Sequence, residues 1–346
     1  MGGHITVATL SYDRNATVAE HLSRLSSQTL PAEAEVSILL VDNNPHGEAL
    51  PYYEDALDHL ADDAIATAYV HEPMPGIPAA RNRAIEWALE QGSDALVFVD
   101  DDDVPHAGWL AALVATWRRG GSEMVSGVST YSTPPHRDRW VEASGFFTPD
   151  GLERPFGRTR WRRSYDDRNR LTVAATNNLL LDLRFVALHS LRFDTRVFSG
   201  SDTLFTHQMS LLGAQLAREP DARVTLGIPL GRYTRTWIIQ RIAHLESGLF
   251  WARMRSSRTP IDRARLVCRQ IVKAVVVGVA ALVRISTGHL TRSFDDVVLG
   301  QCHLAKSRFA LACAFGWAYM PYSRGRTRWV RVGAGGPFRA KEPDVG

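Results

Sequence analysis

Lysine is nearly absent from this chain. Of 40 basic residues only Lys273, Lys306 and Lys341 are lysines, so no mechanism that needs a lysine before position 273 is available. Cysteine is as sparse. Cys268, Cys302 and Cys313 are too few and too scattered for a disulfide framework or a paired-cysteine metal site, which fits a reducing cytoplasm. The N-terminus has no charged segment leading into an apolar one, so no secretory leader is expected. Long hydrophobic runs are also missing. The apolar stretches 271–283 and 309–320 fall short of the roughly 20 residues that a bilayer span needs, so they are expected to be buried helices or segments lying in a membrane interface. There is no internal repeat and no low-complexity tract.

The chain has 346 residues, about two domains at roughly 150 residues each. Its 45% hydrophobic and 22% charged content is that of a globular protein. The net charge of +3 conceals an asymmetry. Residues 1–150 hold 8 Lys and Arg against 23 Asp and Glu, whereas residues 231–346 hold 20 against 6. An acidic first half therefore precedes a C-terminal third that favours an anionic surface.

The first 130 residues alternate in the βα manner. Segments 4–10, 36–41, 65–70, 95–99 and 123–131 read as strands. Segments 16–27, 50–60, 78–91 and 106–119 read as helices, the third with proline in its first turn. The near-continuous apolarity of 36–41 is that of a parallel strand covered on both faces. Such units build an open, mostly parallel, doubly wound α/β sheet that binds ligands at the carboxyl ends of its strands. Residues 132–172 lose the rhythm and include the basic stretch 158–163, read as a mobile loop or a solvated basic one. A helix is expected over 204–217 and a basic, Trp-containing amphipathic helix over 235–255. The expected domains are 1–230 and a helical, membrane-associating extension 231–330, followed by a disordered tail, 331–346.

Unusual residues cluster at the predicted strand ends. Asp100, Asp101, Asp102 and Asp103 follow an apolar strand, and four adjacent carboxylates repel one another unless a cation or strong hydrogen bonds compensate them. A hard divalent ion with oxygen ligands, bridging carboxylate to phosphate, is the natural solution; a helix cap explains one Asp but not four. Asp42 also ends a strand, where it could accept from a base or ribose or simply shape a turn. Arg81 opens a helix after Gly76 and offers a planar fork to a carboxylate, base or phosphate, or else lies solvated on an outer face. Asp202, in Gly200-Ser201-Asp202, reads as either a functional carboxylate or a helix N-cap.

In order and spacing, Thr9-Leu10-Ser11-Tyr12-Asp13-Arg14, Val41-Asp42-Asn43, Gly76 with Ala80-Arg81-Asn82, Asp100 to Asp103, Thr176-Asn177-Asn178 and Gly200-Ser201-Asp202 resemble family 2 glycosyltransferases, which have the GT-A fold. The resemblance covers about residues 4–217. It implies that Thr9, Ser11, Tyr12 and Arg14 line the base pocket and that Asp42 and Arg81 contact the base. Asp100 and Asp101 would lie near the ribose and diphosphate, and Asp102 would coordinate Mn²⁺ or Mg²⁺. Asp202 would be the general base of an inverting, single-displacement transfer. The implied donor is a nucleoside-diphosphate sugar, most often of UDP, and the implied acceptor a glycan or lipid-linked hydroxyl. The implied setting is the cytoplasm or the inner face of the plasma membrane, in envelope polysaccharide or glycolipid assembly.

Three departures matter. Leu10 replaces the usual proline, Ser201 replaces the glutamate before the base, and the Gln-x-x-Arg-Trp signature of processive synthases is missing, which favours single additions. A dehalogenase-type phosphatase would use Asp100 as nucleophile but needs a lysine from the sheet, and none is there. A nucleotidyltransferase would need a glycine-rich basic loop after the first strand. A degenerate domain serving as a membrane-docking scaffold stays open because of Ser201. No nucleic-acid partner is expected, since the acidic half repels DNA and no binding module is visible.

Overall fold

The structure, a computed structural model, describes residues 3–60, 65–132, 138–147, 173–197, 200–227, 229–257, 259–322 and 326–332. The chain divides into two compact units. One comprises residues 1–132, 163–195 and 205–227, and the other 133–162, 196–204 and 228–346. The basic stretch 158–163 and residues 333–346 lie outside the described residues.

The first unit contains an eight-stranded mixed sheet. Its strands are β1 (His4–Ser11), β2 (Glu35–Asp42), β3 (Ala66–His71), β4 (Ala95–Asp100), β5 (Asp103–Pro105), β6 (Met124–Tyr131), β7 (Asn178–Asp182) and β8 (Leu216–Leu226), in the order β3-β2-β1-β4-β7-β6-β8-β5. The first four strands are mutually parallel, and β7 runs antiparallel between β4 and β6. Strand alternation sorts the core into two layers. Ile5, Val7, Ile38, Leu40, Val97 and Val99 pack against α1 (Val18–Ser26), α2 (Leu50–Leu57) and α4 (Trp109–Arg118). Ala8, Leu39, Val41, Leu96 and Phe98 face the other way, toward α3 (Ile77–Glu90) and α6 (Leu183–Leu188). Both faces are thus covered, which is why β2 reads as continuously apolar.

The expected helix over 204–217 is corrected. The helix α7 is Ser201–Leu211, and Gly213, at φ 101°, breaks it and lets β8 begin at Leu216. Strand β8 escaped notice because Arg218-Glu219-Pro220-Asp221 does not alternate; its register against β6 shifts in this region. The expected helix over 106–119 begins only at Trp109, because residues 103–105 instead pair with β8 as β5.

The second unit is mainly helical, with α5 (Arg139–Ala143), α8 (Arg235–Ser256), α9 (Pro260–Leu290), α10 (Phe294–Ala314) and the hairpin β9 (Trp317–Tyr322) and β10 (Arg326–Arg331). The apolar run 309–320 is therefore no single helix: it is split at Gly316, φ 84°, between α10 and β9. Helices α9 and α10 form a close antiparallel pair. A Cβ on Gly300 would lie 3.0 Å from the Ala281 carbonyl oxygen, and Ser307 Oγ donates to the Ala274 carbonyl at 2.6 Å. Buried Glu246 of α8 ties them further, pairing with Lys273 of α9 and, at 3.3 Å, with Lys306 of α10. Two of the chain's three lysines are spent on this one carboxylate. Among the described residues, α9 is the one helix long and apolar enough by length and composition to cross a membrane.

Candidate active site

The parallel strands β1 to β4 end on one edge of the sheet. Register places Leu10 beside Val41 and Asp100, Ser11 beside Asp42, and Asp42 beside His71. Past Ser11 the chain turns sharply. Asp13 adopts φ 56°, and Asn44 Nδ2 donates to its Oδ1 at 2.6 Å. Asp and Asn tolerate this left-handed conformation better than most residues.

The turn directs Arg14 onto the carboxylate cluster. Arg14 Nη1 meets Asp101 Oδ1 and, at 2.9 Å, Asp102 Oδ2, so one guanidinium bridges two of the four acids. Asp103 points elsewhere: it is buried, and its Oδ2 accepts from Asn177 Nδ2 at 3.1 Å. The same amide donates to Ser129 Oγ at 3.1 Å. Gly227 closes over the cluster, donating its N–H to the Asp102 carbonyl at 3.1 Å. A Cβ at Gly227 would lie 2.1 Å from that oxygen, so only glycine fits.

Crowding of acids beside buried backbone raises their proton affinity. Burial, aided by Asp102 and Asp100 and opposed by Arg14, pushes Asp101 up to about 6. Burial and Asp100 push Asp103 up to about 8, with Asn177 opposing. Arg14 is the counter-charge that Asp101 and Asp102 share. Among the described residues no group of three or more His, Cys, Asp or Glu side chains could hold a metal by itself. Two adjacent carboxylates, with side chains 11% and 28% exposed, are nevertheless the donor set by which Mg²⁺-like ions are held when substrate phosphate and water complete the shell. The guanidinium between Asp101 and Asp102 already occupies a cation's place. The residues present fit a hard divalent ion.

Other residues singled out from the sequence take up distinct places. Thr9 and Ser11 are 0% and 2% exposed, and neither hydroxyl has a hydrogen-bond partner, nor does that of buried Thr176. Buried hydroxyls without partners are uncommon, and these are closed off from the surface of the strand ends. Tyr12 is half exposed. Asp42 is fully buried and occupied: Oδ1 accepts from the Asn44 N–H at 2.9 Å, and Oδ2 from the Ala49 N–H at 2.8 Å and the Tyr69 hydroxyl at 2.9 Å. It anchors the β2–α2 loop, the turn-shaping alternative in the sequence. Burial and the Asp42 carboxylate together push the Tyr69 phenol well up. Arg81 is not on an outer face. It is 7% exposed, with its guanidinium 5.4 Å from the Phe193 ring centroid. Asn82 fixes that loop by a two-way bond to the Phe193 backbone, at 2.9 and 2.7 Å. Phe193 and Tyr69 carried no sequence signal, because only the fold brings them to Arg81 and Asp42.

Asp202 belongs to the second unit, in the first turn of α7 rather than at its cap. Its Oδ1 accepts from the Thr203 N–H at 2.7 Å. Gly200, at φ 74°, packs on α8, where a Cβ would lie 3.2 Å from the Gly248 backbone. One turn before Gly248 stands His244, which burial and Arg241 push down to about 4 against an opposing pull from Asp202. No motif marked this neighbour in advance.

Comparison with known proteins gives concordant results. The model of glycosyl transferase family 2 matches residues 6–177. Succinoglycan biosynthesis protein ExoM of Rhizobium meliloti (strain 1021) is 26% identical over 240 residues, 69% of this chain and 71% of that protein. Glycosyltransferase AglE of Haloferax volcanii is 30% identical over 127 residues, 36% of this chain and 38% of that one. Among solved structures, the mannosyltransferase PcManGT from Pyrobaculum calidifontis, in complex with GDP-Man and Mn²⁺, is similar in fold. Its TM-score is 0.58 at 17% identity, covering 90% of this chain and 88% of that chain. The sheet is accordingly of the GT-A type expected, with mixed strand directions.

Proposed function

Residues 6–177 belong to glycosyl transferase family 2 and the protein is a glycosyltransferase; from that premise we propose that it moves one sugar from a nucleoside-diphosphate donor to an acceptor hydroxyl with inversion. UDP is the nucleotide proposed, and Mn²⁺ or Mg²⁺ the metal. The acceptor proposed is a glycan or lipid-linked glycan of envelope polysaccharide assembly, at the inner face of the plasma membrane. The ExoM likeness supports that setting.

The observation that carries this reading is the Arg14-bridged pair Asp101 and Asp102 at the carboxyl ends of the parallel strands. In the reaction proposed, the bond from the anomeric carbon to the diphosphate oxygen breaks as one to the acceptor oxygen forms. Asp202 takes the acceptor's proton. Asp101 and Asp102 would hold the metal, which when bound supplies charge stabilisation for the departing diphosphate. Arg14 exchanges its carboxylate partners for a diphosphate oxygen, and Asp100 meets the ribose. Tyr12, just past the strand that carries Thr9 and Ser11, lines the base pocket, Arg81 closes it, and Asp42 acts by fixing the loop beside it.

The test is calorimetric titration of UDP, GDP and dTDP into the purified protein, with Mn²⁺ and with EDTA. Metal-dependent binding of one nucleotide is expected, with UDP first. No binding of any of the three to the folded protein would overturn the donor site and favour the scaffold alternative.

A further inference from the structure

Helix α9 has two different sides. Ala274, Val277, Ala281 and Gly288 are buried. Val272, Val275, Val276, Val279, Leu282 and Val283 are each 55–62% exposed. These six follow helical spacing, so they form one continuous stripe. Its extent is on the order of 500 Å², the size of apolar patch that on a soluble monomer often marks an interaction site. Toward the N-terminal end of the helix the same side turns basic, with exposed Arg265 and Arg269, the first 3.7 Å from Asp262. The pairing of Ala274 with Ser307 brings the end of α10 to this same region. There an open apolar cleft of about 400 Å³ is lined by Arg308, Phe309, Leu311, Ala312, Phe315 and Trp317.

Length and composition alone would allow α9 to cross a bilayer. Its side chains argue otherwise. Lys273 and Arg284 lie within or at the edge of the apolar stretch, paired with Glu246 of α8 and, at 2.9 Å, with Asp296 of α10. A crossing α9 would have to break these pairs or draw them and α10 into hydrocarbon, which strongly disfavours charged groups. A helix lying in the interface needs only one apolar side with cations near the headgroups, and that is the pattern present.

We propose that α9 lies along an anionic bilayer surface without crossing it. The valine–leucine stripe enters the boundary between headgroups and acyl chains, while Arg265 and Arg269 engage headgroup phosphates. The excess of basic over acidic residues in 231–346, 20 against 6, selects an anionic lipid surface over an acyl-only or neutral one. The inference rests on the second unit alone and stands apart from the donor chemistry.

The experiment is flotation of the full-length protein with phosphatidylcholine vesicles and with vesicles containing phosphatidylglycerol. Binding is expected only to the latter, reduced by high salt and fully reversed by alkaline carbonate. The double variant Val276→Asp with Val279→Asp should abolish it. The double variant Arg265→Gln with Arg269→Gln should weaken it by about thirtyfold, near one decade or less per charge. Both sets are exposed, and unchanged metal-dependent nucleotide binding in each variant would show that the protein is intact and separate this result from the donor reading. Three results would overturn the proposal: retention in carbonate-washed membranes, which means a span; equal binding to neutral vesicles; or a dimer that the Asp variants convert to monomer, which means the stripe covers a second copy.

Discussion

Arg14 competes with any cation for Asp101 and Asp102, and that competition has a measurable size. A unit charge pair about 4 Å apart gives about 4 kcal/mol at an effective dielectric of about 20. The Arg14 side chain is 39% exposed, and solvent-exposed pairs are worth only about 1 kcal/mol. Taking about 1.4 kcal/mol for a bridge with one partly buried partner, Arg14→Gln should raise the affinity of the nucleotide-free protein for Mn²⁺ about tenfold. The same substitution removes a charge proposed to meet the diphosphate, so affinity for the metal–nucleotide complex should fall. The two changes have opposite signs, which no general loss of structure produces. The assay is titration of free Mn²⁺ by electron paramagnetic resonance, without and with nucleotide, on wild type and variant. If the variant binds Mn²⁺ no tighter than wild type in the absence of nucleotide, the guanidinium does not stand in the cation's place and the reasoning fails.

Four further outcomes follow from particular residues. Asp102→Ala should lose metal-dependent nucleotide binding in calorimetry, whereas Asp202→Asn should bind donor normally yet fail to transfer; full turnover by the latter removes Asp202 as the base. Gly227→Ala places a Cβ 2.1 Å from the Asp102 carbonyl oxygen, so it should lower both stability, by about 2 kcal/mol or more, and metal–nucleotide affinity. His21 is buried with neither ring nitrogen partnered, and burial, with Arg24 nearby, pushes it down to about 4. The unfolded chain then binds the extra proton between its ordinary value of about 6.5 and about 4, so stability is intact above that window and falls as pH drops through it. His21→Leu should therefore be more stable at pH 7.5, and its margin over wild type should widen by about 2 kcal/mol by pH 5; a margin that stays flat in denaturation midpoints would refute the buried neutral ring.

What the sequence disclosed and what it hid divide along a physical line. Segments whose burial repeats at a short period were legible: β1, β2, β4 and α3 lie within a residue or two of where periodicity put them, since each faces a continuous apolar layer. Strand β8 was not, because an edge-ward, polar strand with Pro220 owes its place to pairing partners far away in the chain. The site behaved in the same way. Four consecutive aspartates announce a shortage of positive charge without any alignment, and the fold brings an arginine from a turn 87 residues earlier to two of them. Asp42 shows the limit. A carboxylate at a strand end looks identical in sequence whether it meets a ligand or its own loop, and only the three donors from Asn44, Ala49 and Tyr69 decide which. The same holds for Arg81, whose burial under Phe193 depends on an Asn82 clamp that spans 111 residues. Local chemistry thus marks where a charge problem exists, and tertiary contact decides what solves it. The ligand-binding role is therefore proposed for the carboxylates that keep some exposure after folding, Asp101 and Asp102, bridged by Arg14.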